Sequence, residues 1–139
     1  MELKGKNFRS AILFNLAKAI YYGSDRHSTT IAFEETKYYQ QVASLSACIE
    51  IAHNASLLQD DIIDHADSRR SEKAAHKVFG SANSIFASNF MIGRASRMLT
   101  EVFCDSAHMS QLYSTVLCNL IYGELIQAKR NDDDSKQID

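Results

Sequence analysis

The chain has 139 residues, 45% hydrophobic and 23% charged, with no proline and a formal net charge of -2. That length sets a single domain as the expectation, and the near-neutral charge argues against the basic footprint of a nucleic-acid-binding protein. No apolar run approaches the roughly 18 residues that read as a transmembrane helix, and the three cysteines, without C-x-x-C spacing, argue against a disulfide framework or a zinc site.

With proline absent the strongest helix breaker is missing, and five glycines leave few turn signals, so long helices with short joints are expected. The fold class is all-α. The first helix is read over residues 8–22, where Arg9 and Lys18 alternate with Ile12, Leu13, Leu16 and Ile20, preceded by Lys4 and Lys6. Such a basic amphipathic pattern fits either a mitochondrial presequence or a mature first helix. A polar break over 23–30 leads into a long helix from residue 34 or 37 to about 66. Residues 67–80 read as an irregular basic stretch. Two more helices, over 82–104 and 107–129, meet at Asp105 and Ser106, with Ser106 expected as the N-cap. Their apolar positions, among them Ile85, Phe86, Phe90, Met98 and Leu99, recur around much of the circumference, as in a helix inside a large bundle or at a subunit interface. Faces of that size left uncovered predict association with itself or a partner.

The long helix carries the most informative residues. Asp60, Asp61 and Asp64 form the run D-D-I-I-D at the end of an apolar stretch. Asp60 and Asp64 are i and i+4, so their carboxylates share a face, where an unscreened like-charge pair costs a few tenths of a kcal/mol. A cation offsets that repulsion, and Mg²⁺ takes one or two carboxylates together with substrate phosphates. His53 lies seven residues before Asp60, two helical turns away on the same stripe. Arg69 and Arg70 follow just past the expected helix end, and arginine suits fork-shaped contacts with phosphate oxygens. Taken together, acids, metal and arginines describe a diphosphate clamp. The later acid run Asp132, Asp133 and Asp134 does not repeat the D-D-x-x-D spacing and reads as a solvated tail or helix end.

Residues 50–70, E-I-A-H-N-A-S-L-L-Q-D-D-I-I-D-H-A-D-S-R-R, resemble the first aspartate-rich region of the trans-polyprenyl diphosphate synthases. Upstream, G-K-N-F-R at 5–9 resembles that family's G-K-x-x-R segment; downstream, F-M-I-G-R-A-S at 90–96 and G-E-L-I-Q at 123–127 resemble its F-L-L-G-R-A-S and G-E-F-x-Q runs. Four motifs in the family's order span most of the chain. Three positions depart from the pattern: Ser10 stands where the family has Pro, Ser71 where it has Gly after the arginine pair, and Asn89 where it has an acid.

The resemblance implies part of an isoprenoid-synthase-type helical bundle, with residues 1–139 as its N-terminal portion, since family members run to about twice this length and carry a second aspartate-rich motif. It implies a prenyltransferase that condenses isopentenyl diphosphate with an allylic diphosphate. Mg²⁺ would be held by Asp60 and Asp64, with Asp61 a further candidate ligand or an orienting group. Catalytic roles fall to Asp60, Asp64 and Arg69, and substrate binding to Lys6, Arg9, His53, Arg69 and Arg70. The match at Lys6 and Arg9 favours a mature first helix over a presequence, leaving no separate targeting segment in residues 1–139. Small residues at Ala55 and Ser56, five and four positions before the first aspartate, imply a long product such as a quinone side chain, unless they serve only close packing. Homo- or hetero-oligomers are expected, in mitochondria if the source is eukaryotic and otherwise in the cytoplasm. A catalytically silent partner subunit remains an alternative. So does a terpene cyclase, which has no need of Lys6, Arg9 and His53 as a second diphosphate site.

Overall fold

The computed structural model describes residues 8–23, 31–103 and 105–135, the side chains of Ser106 and of the far end of the last helix excepted. Helix α1, Phe8–Gly23, is followed after residue 30 by a 3₁₀ turn, Phe33–Glu35, and by the long helix α2, Lys37–Ile63. Thr36 decides where α2 begins. Its hydroxyl donates to the Phe33 carbonyl at 2.6 Å and accepts from the Tyr39 N–H at 3.0 Å, closing the turn and capping the helix at once. The earlier start considered, Glu34, falls inside the 3₁₀ turn.

At its other end α2 stops sooner than its apolar pattern suggests. Asp64 is the C-cap, still helical at φ -80° and ψ 0°, and His65 turns the chain through the left-handed region at φ 53°. Residues 67–80, expected to be irregular, instead form a hairpin of β1, Ser68–Arg69, and β2, Glu72–Lys73, and a short helix α3, Ala75–Phe79. Helix α4 spans Ser81–Val102 and α5 spans Ser106–Ser135. The cap of α5 comes from Asp105, whose Oδ1 accepts the His108 N–H at 3.1 Å. Ser106 was the expected cap; the residue before it reaches the orphan donor. The acid run 132–134 lies in the last turns of α5.

Two buried clusters join these helices. Tyr21, Phe33 and Val42 pack with Phe14, Tyr38 and Tyr39 between α1 and the start of α2, with Tyr21–Phe33 and Phe33–Tyr39 ring centroids 5.6 and 5.4 Å apart, in the favourable range for tilted and edge-on aromatic pairs. Further along, Cys48 faces Ala95 and Leu99. Small side chains at 48 and 95 let α2 and α4 approach closely, and the Cys48 thiol donates to the Ala95 carbonyl at 3.4 Å. α5 is tied to α4 by the Tyr113 hydroxyl, which donates to the Ile92 carbonyl at 3.3 Å.

The large apolar side chains expected around the helix circumferences are uncovered in part. Phe86 and Phe90 on α4 are 71% and 69% exposed, and Val116, Leu120 and Leu125 along α5 are exposed as well. None of the described helices is long and apolar enough to cross a membrane.

Candidate functional site

The last turns of α2 put the three aspartates in three different environments. Asp61 is buried, its side chain only 4% exposed; Asp60 is 26% exposed; Asp64 is exposed at the helix end. The Asp64 N–H donates to the Asp60 carbonyl at 2.9 Å, so the helical register that stacks Asp60 under Asp64 persists through the cap. Of the three, Asp60 and Asp64 are the acids that reach solvent.

Arg69 is delivered to them by the hairpin. Ser68 pairs with Lys73 and Arg69 with Glu72, leaving Arg70 and Ser71 as a two-residue turn with φ of 53° and 68°. Both angles are those of a type I′ turn. Arg69 Nε donates to both oxygens of Asp61, at 2.7 and 2.8 Å, and Nη2 lies 2.7 Å from Asp61 Oδ1 and 3.1 Å from Asp60 Oδ2. A charge-assisted fork of this kind is the strong form of hydrogen bond. Removing one member of a buried ion pair costs about 3–5 kcal/mol, and less here because the Arg69 side chain is 34% exposed.

A cationic cluster lies two turns earlier. His53 is half-buried. Burial first, and then the guanidinium of Arg9, hold its pKa below the ordinary 6.5; Arg70 and Arg69 add to the effect, and Glu50 opposes it. The charges of Arg9 on α1 and of Arg70 in the hairpin turn thus both reach His53 on α2. Lys6 lies outside the described residues. Ser10, in place of the family's Pro, accepts from the Ser46 hydroxyl at 2.7 Å and so ties α1 to α2 beside Arg9.

Arg9 and His53 line a groove of about 440 Å³ whose remaining walls are almost wholly apolar, among them Leu45, Ile49, Leu99, Tyr113 and Leu117. A smaller cavity of about 110 Å³ runs between α2, α4 and α5 past Gln59, Ile63, Ile92 and Glu124. Ser56 lines both. Ala55, its expected companion, is fully buried, so close packing accounts for it and Ser56 alone faces open space.

Two polar features were not read from the sequence. Gln59 Nε2 donates to Asn89 Oδ1 at 3.3 Å, linking α4 to the residue just before Asp60; the replacement of an acid at 89 was the available signal. Glu50 Oε1 is buried without a hydrogen-bond partner one turn before His53, and its position on the His53 stripe could have marked it.

Asp60 and Asp64 fit a hard divalent cation that retains waters and phosphate oxygens in its shell. Among the described residues no group of three or more His, Cys, Asp or Glu side chains converges on a metal-sized site.

The family model described as "Polyprenyl synthetase" matches residues 1–139. The chain is 40% identical to a probable mitochondrial hexaprenyl pyrophosphate synthase of Neurospora crassa over 66% of its own length and 20% of that protein's. It is 31% identical to decaprenyl-diphosphate synthase subunit 1 of Schizosaccharomyces pombe over 95% of its length and 37% of the relative's. It is 30% identical to the octaprenyl diphosphate synthase of Escherichia coli, covering 93% of this chain and 35% of that one. These alignments take in between a fifth and two fifths of the curated relatives' length. Among solved structures, an isoprenoid synthase family member from Thermotoga neapolitana superposes with a TM-score of 0.71 at 21% identity, covering 90% of this chain and 43% of that one. That likeness establishes the helical isoprenoid-synthase fold. With four motifs in order, that fold and a family match over its whole length, the chain belongs to the polyprenyl synthetase family.

Proposed function

We propose that residues 1–139 are the N-terminal portion of a trans-polyprenyl diphosphate synthase, which condenses isopentenyl diphosphate with an allylic diphosphate to build a long prenyl chain of the quinone type. The observation that carries this reading is the separation of two charged sites along one helix. Asp60 and Asp64, with Arg69 beside them, form an acid site that needs a cation. Arg9, His53 and Arg70 form a cationic site that suits an anion without metal.

Asp60 and Asp64 would hold Mg²⁺, which supplies neutralisation of the allylic diphosphate as its C–O bond breaks. Arg69 shares that load by donating to the same phosphate oxygens. Arg9, Arg70 and a protonated His53 hold the diphosphate of the second substrate, with Lys6 as a fourth donor. The apolar walls near Ser56 exclude water from the allylic cation and accept the growing hydrocarbon. A small side chain at 56 favours a long product.

Fungal relatives named as mitochondrial support a mitochondrial setting if the source is eukaryotic. A second reading, a partner subunit without turnover of its own, is supported by the relative named as a subunit and by the uncovered apolar face of α5. Binding of both diphosphates by the purified chain tests the first reading against a terpene cyclase, which would bind no isopentenyl diphosphate. Metal-dependent turnover distinguishes an enzyme from a silent subunit.

A further inference from the structure

We propose that Glu50 is a positioning residue of the cationic site: from behind His53, its carboxylate keeps that ring ready to take up the proton with which it meets a diphosphate. The proposal rests on reading Arg9, His53 and Arg70 as a site for a second diphosphate.

The first observation is an oxygen without a partner. Glu50 Oε1 is buried and accepts no hydrogen bond. Asn54, one turn further along α2, donates its amide to the Glu50 main-chain carbonyl at 2.8 Å and not to the carboxylate. An uncompensated carboxylate oxygen destabilises a fold, and packed structures hold few buried polar atoms in that condition. A positive charge beside it supplies the compensation.

The second is its place. Glu50 and His53 are i and i+3 on α2, neighbours on one face of the helix. The Ser46 hydroxyl, one turn before Glu50, donates to Ser10 at 2.7 Å and fixes the start of α1, with Arg9, against this stretch. Arg9 and His53 line the large groove and Glu50 does not. An acid lining that groove would repel an anion directly. Glu50 acts instead by its field on the neighbouring ring, and a buried field is screened less than an exposed one.

The third is the balance of charge at His53. Burial first, then Arg9 of α1 and Arg70 and Arg69 of the hairpin, disfavour the imidazolium, and Glu50 favours it. The neutral ring donates from one nitrogen, whereas the protonated ring donates from both and adds a charge. Protonation also gives Glu50 Oε1 a counter-ion close by. A diphosphate offsets the repulsion from the arginines, so a proton passes from solvent to His53 as the anion binds. Without Glu50 that proton costs more, and the site loses a cation.

Pyrophosphate binding without metal by the full 139-residue chain, followed by titration calorimetry at neutral pH beside a proton NMR titration of the His53 ring, tests this. Glu50→Gln keeps the shape, and because it removes an uncompensated charge it does not endanger the fold. It should lower the His53 pKa and weaken pyrophosphate roughly fivefold, within the coupling measured between members of one charge network. In a His53→Gln background Glu50→Gln should change the affinity no further, because Glu50 acts only through His53. Pyrophosphate held as tightly or more tightly by Glu50→Gln, a His53 pKa unmoved by it, or the same loss in the His53→Gln background would overturn the role of Glu50 and leave the cationic site standing. A wild-type chain that binds no pyrophosphate without metal, or binding indifferent to both Arg9→Ala and His53→Gln, would overturn the cationic site and this proposal with it.

Discussion

Arg70 and Ser71 sit side by side at the two central positions of the β1–β2 turn with φ of 53° and 68°. The conformation is forced by the two-residue connection, since only a type I′ or II′ turn matches the twist of the strands it joins. A left-handed L-residue costs roughly 1–2 kcal/mol. Ser71→Gly should relieve about 1 kcal/mol of this, visible as a higher urea midpoint with an unchanged slope. A midpoint that stays put or falls would show that the turn is not strained at Ser71.

Asp60 and Asp64 are one helical turn apart at the end of α2, where two like charges repel unless a cation lies between them. Mg²⁺ together with pyrophosphate should therefore raise the melting temperature more than Mg²⁺ alone, because ligands that bind only the folded state stabilise it by mass action. Asp60→Asn combined with Asp64→Asn should remove that gain. An identical shift in the double variant would contradict the two-carboxylate metal site.

His53 should titrate below its ordinary 6.5, because burial and the Arg9 charge disfavour the imidazolium. The sign for stability follows: between the folded-state pKa and 6.5 the unfolded chain binds the extra proton, so stability is full above pH 6.5 and falls as pH drops through that window. Proton NMR of the His53 ring should show the low pKa, Arg9→Ala should raise it, and bound pyrophosphate should raise it further. A His53 pKa unmoved by Arg9→Ala would separate the two residues and dissolve the cationic site.

Much of this molecule is legible before any coordinates. Asp60, Asp64 and His53 are recognisable because helical spacing alone places them on a stripe, and the absence of proline makes the helix itself a safe inference. The hairpin was missed for a physical reason: a type I′ turn usually announces itself by Asn-Gly or Asp-Gly, and here Arg70 and Ser71 adopt the conformation without either. The different environments of the three acids in D-D-I-I-D were half visible. Spacing shows that Asp61 points elsewhere, but its burial and its bond to Arg69 depend on a partner eight residues away across that unannounced turn. Ala55 and Ser56 looked equivalent in the sequence and differ in the fold, since which of two adjacent small residues faces a cavity depends on how α4 and α5 pack.

The chain alone should show no sustained condensation of farnesyl diphosphate with radiolabelled isopentenyl diphosphate. One aspartate motif can position a diphosphate without stabilising the full charge of the transition state, and only stabilisation gained in the transition state accelerates the reaction. Long prenyl products formed by the pure chain in an Asp60-dependent manner would contradict this; products appearing only when a second polypeptide is added would support a composite site.

Equilibrium dialysis of the two radiolabelled substrates separates the sites in a single experiment. Isopentenyl diphosphate should bind saturably without Mg²⁺ and lose affinity in Arg9→Ala, while farnesyl diphosphate should bind only with Mg²⁺ and lose affinity in the Asp60→Asn, Asp64→Asn double variant, each substitution sparing the other ligand. Loss of both ligands together in either variant, or binding of neither to the wild-type chain, would contradict the assignment of two diphosphate sites along α2.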